Sequence, residues 1–257
     1  MNPLEDWFEH TQGRQVHKWM HYFDIYHRHL KRFRGRAVKV VEFGVSLGGS
    51  AQMWREYFGP RAQLYGVDRD RRCKQWEAPW FQVFIGDQAD RAFLHQVAQQ
   101  IGRVDIVIDD GGHHPDQQIA TFEEFYPLIK PGGVFLIEDL HTSYWPKYSG
   151  GLNKPGTFME YSKQLLDQLN AYHSREPGFE VDRFTKTTRS MHFYDSVLVF
   201  EKGKVRPPTR KRQGTRDWEH AEVYDLPLSL RSRLRSAEVE ASGHVKRVAR
   251  RFVSKSK

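Results

Sequence analysis

Residues 107–114, VIDDGGHH, end an apolar run in two adjacent carboxylates, two glycines and two histidines. Carboxylates hold hard cations, imidazole moves protons near neutral pH, and glycine lets the chain turn tightly around both. A second acidic pair, Glu138-Asp139, ends another apolar run, VFLIEDL. If the two runs are neighbouring parallel strands, Asp109, Asp110, Glu138 and Asp139 meet at one carboxyl edge, where open α/β sheets bind ligands. Side chains alternate along a strand, so not all four point one way. Those that do raise each other's pKa unless a cation sits among them. Cys73 is the only cysteine, so a thiolate site is excluded and the expected ion is Mg²⁺, with Mn²⁺ or Ca²⁺ as relatives. His113, three residues past Asp110, is placed to take a proton from an alcohol, while His114 reads as a packing or capping residue.

A second constellation lies upstream. VVEFGVSLGGS sets Glu42, Gly44, Ser46, Gly48 and Gly49 between a strand and a helix, where a backbone without side chains can approach a ligand. Asp68, 24 residues past Gly44, ends the next strand, where an acidic side chain grips a ribose diol. Arg69 follows it. The loop is not G-x-G-x-x-G, and Glu42 would repel a pyrophosphate. Asp87-Gln88, after a third strand, suits an adenine edge. S-adenosylmethionine is therefore expected in preference to a nicotinamide dinucleotide, with Asp109 completing its pocket.

The elements that must position these groups alternate. Strands are expected at VKVVEFG (38–44), QLYGVDRD, QVFIGDQAD, VDIVIDD and VFLIEDL, with helices at SAQMWREYFG, from about Asp90 to Ile101, and at DQQIATFEEFYPLIK, stopped by Pro131-Gly132-Gly133. This rhythm implies a parallel sheet covered on both faces. Further on, a helix is expected over 158–172, and FEVDRFTKT and MHFYDSVLVFEK read as two β segments closing a seven-stranded α/β sheet whose last strand runs antiparallel. Residues 15–34 carry aromatic groups at spacings of three and four, which predicts an amphipathic helix in a core or subunit interface. No internal repeat is found.

The chain has 257 residues and a formal charge of +8, concentrated in KGKVRPPTRKRQGTR and SGHVKRVARRFVSKSK near the C-terminus. We read a helical lead (1–36), a main domain (37–203) and a basic tail (204–257) with a linker-like Pro-Pro pair and a modest helical pattern around 228–250. The start of the chain lacks the pattern of a signal peptide, and no apolar run is long enough to span a bilayer, so a cytoplasmic protein is expected. The tail has few aromatics, which argues against stacking-based RNA recognition and leaves contact with an anionic surface such as a membrane as its alternative to a solvated role.

VEFGVSLGGSAQMW, VIDDGGHHPDQQIATFEEFYPLIKPGG, VFLIEDLHTSYW and HFYDSVLVFEK resemble the metal-dependent sugar O-methyltransferases of macrolide biosynthesis, a group with the class I Rossmann-like fold and distant kinship to cephalosporin-hydroxylase-like proteins. The resemblance runs from about Val38 to Lys202, preceded here by only a short helical lead. It implies Mg²⁺ ligands at Asp110, Glu138 and Asp139, a general base at His113, and S-adenosylmethionine bound through Glu42, Gly44, Asp68, Asp87 and Gln88. The expected acceptor is a vicinal diol on a deoxysugar or oligosaccharide, with Tyr144 and Trp145 stacking on the ring and the 149–156 loop closing over it. A homodimer is the expected assembly. Two other readings stand beside this one: a nucleic-acid methyltransferase or RNA-binding module using the tail, and a hydroxylase-like enzyme, for which carboxylates outnumber the histidines an Fe(II) facial triad needs.

Overall fold

The structure is a computed structural model and describes residues 2–214. Its elements in chain order are α1 (Pro3–His10), α2 (Tyr22–Leu30), β1 (Lys39–Phe43), α3 (Gly49–Phe58), β2 (Gln63–Asp68), β3 (Phe81–Ile85), α4 (Arg91–Ile101), β4 (Val104–Asp109), α5 (Pro115–Phe125), β5 (Ile129–Ile137), α6 (Phe158–Leu169), α7 (Arg183–Thr187), β6 (Thr188–Phe193) and β7 (Leu198–Lys202). The seven strands lie in the order β3-β2-β1-β4-β5-β7-β6. All neighbouring pairs are parallel except those of β7, which runs antiparallel to both β5 and β6. This is the Rossmann-like α/β arrangement expected from the alternation of apolar runs.

Strand side chains alternate between two cores. Val40, Leu64, Ile106 and Leu136 face a layer built from Leu4, Tyr22, Phe23, Tyr26, Trp54 and Phe58. Val41, Phe43, Val107, Phe135 and Phe200 face Leu94, Val97, Phe122 and Phe125 on the other side. Because both faces are buried, β4 and β5 read as continuous apolar runs rather than alternating ones. The N-terminal helices share the first core with the sheet. No helix among the described residues is long and apolar enough to cross a membrane.

Three expectations are corrected. The helix expected over DQQIATFEEFYPLIK ends at Phe125, and Pro131-Gly132-Gly133, read as its stop, lie within β5. Residues 15–34 are not one helix: 11–21 form a non-helical strap and α2 begins only at Tyr22. The aromatic spacing is real from Tyr22 onward, but upstream the tertiary pull on Lys18, described below, overrides it. FEVDRFTKT is also not a strand. The Asp182 side chain accepts from Thr185 N, capping the short helix α7, and the closing hairpin lies wholly within 188–202. The Asp90-capped helix forms as expected, and the helix expected over 158–172 forms but ends at Leu169. The helical pattern around 228–250 lies outside the described residues.

The chain leaves β1 toward β2 and β3, then returns to place β4 on the other side of β1, so the crevice beyond the carboxyl ends of β1 and β4 is the topological switch point. Gly44 forms its floor. Its φ is +90°, its N–H donates to Val67 O at 2.9 Å, and a Cβ there would lie 2.0 Å from the Asp110 carbonyl oxygen. Gly44→Ala must both strain the backbone and displace Asp110. We expect a stability loss of about 3 kcal/mol or more in urea unfolding; a loss within about 0.5 kcal/mol would show that the loop relaxes freely.

Candidate active site

A cavity of about 690 Å³ opens at this switch point. Gly44, Ser46 and Gly49 line one side, Asp68, Arg69 and Asp70 the next, and Asp110, His113, Glu138 and Asp139 the far end. The strap closes it from above through Gln15, Val16, His17, Lys18 and Trp19. It sits close on α3: Arg14 N donates to Gln52 Oε1 at 2.8 Å, and a Cβ on Gly49 would lie 2.2 Å from Gln15 O.

At the far end the acidic groups meet. Asp110, His113 and Asp139 each offer one ligand atom, and these atoms all lie within 4.8 Å of one another. His113 Nε2 stands 3.4 Å from Asp139 Oδ2 and 4.0 Å from Asp110 Oδ1. His113 has φ +60°, a left-handed conformation that turns its ring back over the carboxylates, and Asp139 has φ +55°. Glu138 is fully buried, with Oε2 on Lys18 Nζ at 2.7 Å and Oε1 without a partner among the described residues. Lys18 Nζ also donates to Asp110 Oδ2 at 2.5 Å. Burial alone would lower the Lys18 pKa, but Asp110, Glu138 and Glu42 outweigh it and hold the ammonium well above its usual value. The Tyr22 hydroxyl donates to Asp139 Oδ1 at 2.7 Å. Two oxygen donors and an imidazole facing one point, with a buried unpaired carboxylate oxygen behind them, fit a divalent cation.

A family model described as a methyltransferase domain matches residues 41–140. Over 190 residues the chain is 37% identical to the 8-demethyl-8-alpha-L-rhamnosyl tetracenomycin-C 2'-O-methyltransferase of Streptomyces olivaceus, covering 70% of this chain and 50% of that protein. It is 35% identical over 201 residues to the mycinamicin VI 2''-O-methyltransferase of Micromonospora griseorubida, covering 72% and 49%. The MycE methyltransferase of the mycinamycin biosynthetic pathway, solved in complex with Mg and SAH, superposes with a TM-score of 0.70 at 29% identity, covering 87% of this chain and 58% of that one. The chain resembles these sugar O-methyltransferases. It spans about half the length of the curated relatives it matches.

Within this methyltransferase fold the expected donor residues divide into two groups. Gly44, Ser46, Asp68, Arg69 and Gln88 line the cavity. Asp68 has part of its capacity taken: Oδ2 accepts from Val45 N and Ser46 N, and Oδ1 from Asp70 N, so it shapes the loop it was expected to serve. Gln88 Nε2 donates to Asp109 and Thr121, and its Oε1 accepts from Gly112 N, which pins the acidic turn. Asp109 is buried behind that turn, where burial, resisted by the bonds from Gln88 and Gly111, pushes its carboxyl up to about 7. Glu42 is turned into the core, its oxygens bound by Ser50 Oγ and Trp54 Nε1. Gly48 caps α3 with φ +75°, and Asp87 accepts from Ala89 N in a local turn. Glu42, Gly48 and Asp87 thus stand beside the cavity lining.

Tyr144 and Trp145 are exposed just past the acidic end of β5. Trp145 packs against His141 and Tyr148, and Tyr148 in turn borders His113 and His114. Trp19, on the strap, is exposed and edges onto His141. Sequence reasoning missed Lys18, Tyr22 and Trp19, whose only signal was a run of polar and aromatic residues that a helical period happened to fit. A second group of ligand-type residues, His29, His192 and Glu201, is closed on itself by hydrogen bonds from Tyr194 and Arg32.

Burial, resisted by Lys18, Trp54 and Ser50, pushes Glu42 up to about 7 from an ordinary 4.5. A raised carboxyl favours the fold fully below the unfolded value and loses that contribution as pH rises through the folded one. Between pH 4.5 and 7 the wild type should therefore lose about 3 kcal/mol through this group. Glu42→Gln removes the titration, so its melting temperature should gain on the wild type as pH rises from 5 to 8. A constant difference would show that Glu42 keeps an ordinary pKa.

Proposed function

We propose that this protein transfers a methyl group from S-adenosylmethionine to a hydroxyl of a sugar, with a divalent cation at the acidic end of the cavity. The observation that carries the reading is the meeting of Asp110, Asp139 and His113 at the edge of a cavity floored by Gly44, in a fold shared with sugar O-methyltransferases. The N-terminus of α3 would offer its N–H groups to the donor's carboxylate, beside a glycine loop whose own amides hold Asp68 and Val67, and Asp68 and Arg69 border the ribose end. Asp110 and Asp139, with Glu138 behind them, would hold Mg²⁺, which when bound lowers the pKa of a neighbouring hydroxyl and fixes its direction.

His113 is the general base in this reading. Its Nε2 faces the acidic groups where an acceptor hydroxyl would lie, with Asp139 Oδ2 3.4 Å away. The hydroxyl is a weak nucleophile until that proton leaves. A cavity that holds donor and acceptor in line would supply much of the rate through positioning. The exposed rings of Trp19, Tyr144 and Trp145 form an aromatic rim suited to the C–H face of a pyranose. The cluster at the cavity holds one imidazole, which disfavours an Fe(II) facial triad there.

Methyl transfer from labelled donor to a panel of glycosylated natural products and free oligosaccharides, read by mass spectrometry, tests the reaction class. EDTA should abolish transfer and Mg²⁺ restore it; full activity in chelator contradicts the metal role. His113→Ala should cut turnover by a factor on the order of 10² or more while leaving Mn²⁺ affinity nearly intact. If Mn²⁺ affinity collapses together with turnover, His113 is a ligand and the base lies elsewhere.

A further inference from the structure

The carboxylates at the acidic end share a division of labour that the relatives' names do not describe. Each has one oxygen engaged by the N-terminal segment and one left over. Asp110 gives Oδ2 to Lys18 and turns Oδ1 toward His113. Glu138 gives Oε2 to Lys18 and keeps Oε1 without a partner among the described residues. Asp139 gives Oδ1 to Tyr22 and turns Oδ2 toward His113. The Lys18 side chain is almost wholly buried between its two carboxylates. Such an ammonium is a fixed part of the site rather than a surface pair.

We propose that Lys18 is a positioning residue that works beside the divalent ion, and that with Tyr22 it turns three repelling carboxylates into a seat selective for charge two. The inference rests on the metal reading above. When Asp110, Glu138 and Asp139 are all ionised around a bound ion, one ammonium against three carboxylates leaves two negative charges, which a single divalent ion would neutralise. The ion and Lys18 use different oxygens of Asp110, so neither has to displace the other. The same contacts tie the strap, which roofs the donor cavity, to the ion that activates the acceptor. An N-terminal segment that contributes no ion ligand thereby sets the charge and aim of the ligands.

The consequence is a change in ion preference. Lys18→Met leaves three uncompensated carboxylates, a seat that favours a trivalent ion, because each added ion charge then gains a full carboxylate's attraction at short range. Tyr22→Phe keeps the charge and loses only the grip on Asp139. Terbium luminescence titrations of the full-length protein, with Mg²⁺ as competitor, read both affinities. The Tb³⁺-to-Mg²⁺ affinity ratio should rise about tenfold or more in Lys18→Met. In Tyr22→Phe both ions should weaken by similar factors, with the ratio unchanged.

An unaltered ratio in Lys18→Met overturns the proposal, as does an equal gain for both ions, which would make Lys18 a simple competitor. If Lys18→Met fails to fold, Tyr22→Phe decides: unchanged affinity for both ions overturns the proposal. If the wild type binds neither ion, the metal reading itself falls and this inference falls with it. Ion binding in the wild type with an unmoved ratio sinks the inference alone.

Discussion

Carboxylates gathered at the ends of two adjacent parallel strands repel one another, and burial strengthens that repulsion by removing the water that would screen it. Asp110 at the end of β4 and Glu138 and Asp139 at the end of β5 are in this position, and Glu138 has no access to solvent. Removing one partner from such a buried arrangement typically costs several kcal/mol, because the other charge remains. The arrangement persists only if positive charge is brought to it. Lys18 brings one charge from the strap, and in the proposed reading a divalent ion brings the other two. The acidic turn and the strap are answers to one electrostatic constraint.

That constraint also explains local features with no reason of their own. The strap is non-helical over 11–21, and on this path Lys18 reaches both carboxylates. Gly49 gives the strap room to cross α3, and Gly44 lets the acidic turn pack against the end of β1. Gln88 acts as a brace, holding Asp109 with one end and the Gly112 amide with the other. His113 accepts a left-handed backbone to reach the acidic groups. Strain of this kind is kept where a binding geometry requires it.

Much of this was legible from the amino-acid sequence, for identifiable reasons. The continuous apolar runs of β1, β4 and β5 announce buried parallel strands, and the acidic pairs at their ends announce the site, because strand order puts such ends side by side. The antiparallel closing strand was also readable, although its hairpin begins later than the β-rich composition of 179–187 suggests; Asp182 capping a helical turn decides that stretch. The strap was not legible. Lys18, Trp19 and Tyr22 fall on a helical period, and only long-range partners more than 90 residues away reveal what they do. The partners of Glu42 were not legible either: a carboxylate at a strand end looks like a ligand, and only the structure shows its oxygens accepting from Ser50 and Trp54 on α3.

The central claim is that these carboxylates surround one divalent ion while Lys18 stays among them. A crystal structure of the protein with S-adenosylhomocysteine and Mn²⁺, with anomalous differences recorded at the manganese edge, tests it most directly. The account predicts one peak bordered by Asp110 and Asp139, with the Lys18 ammonium still in hydrogen-bond contact with Asp110 and Glu138. No peak there, or a peak in the place of an expelled Lys18 side chain, would contradict it.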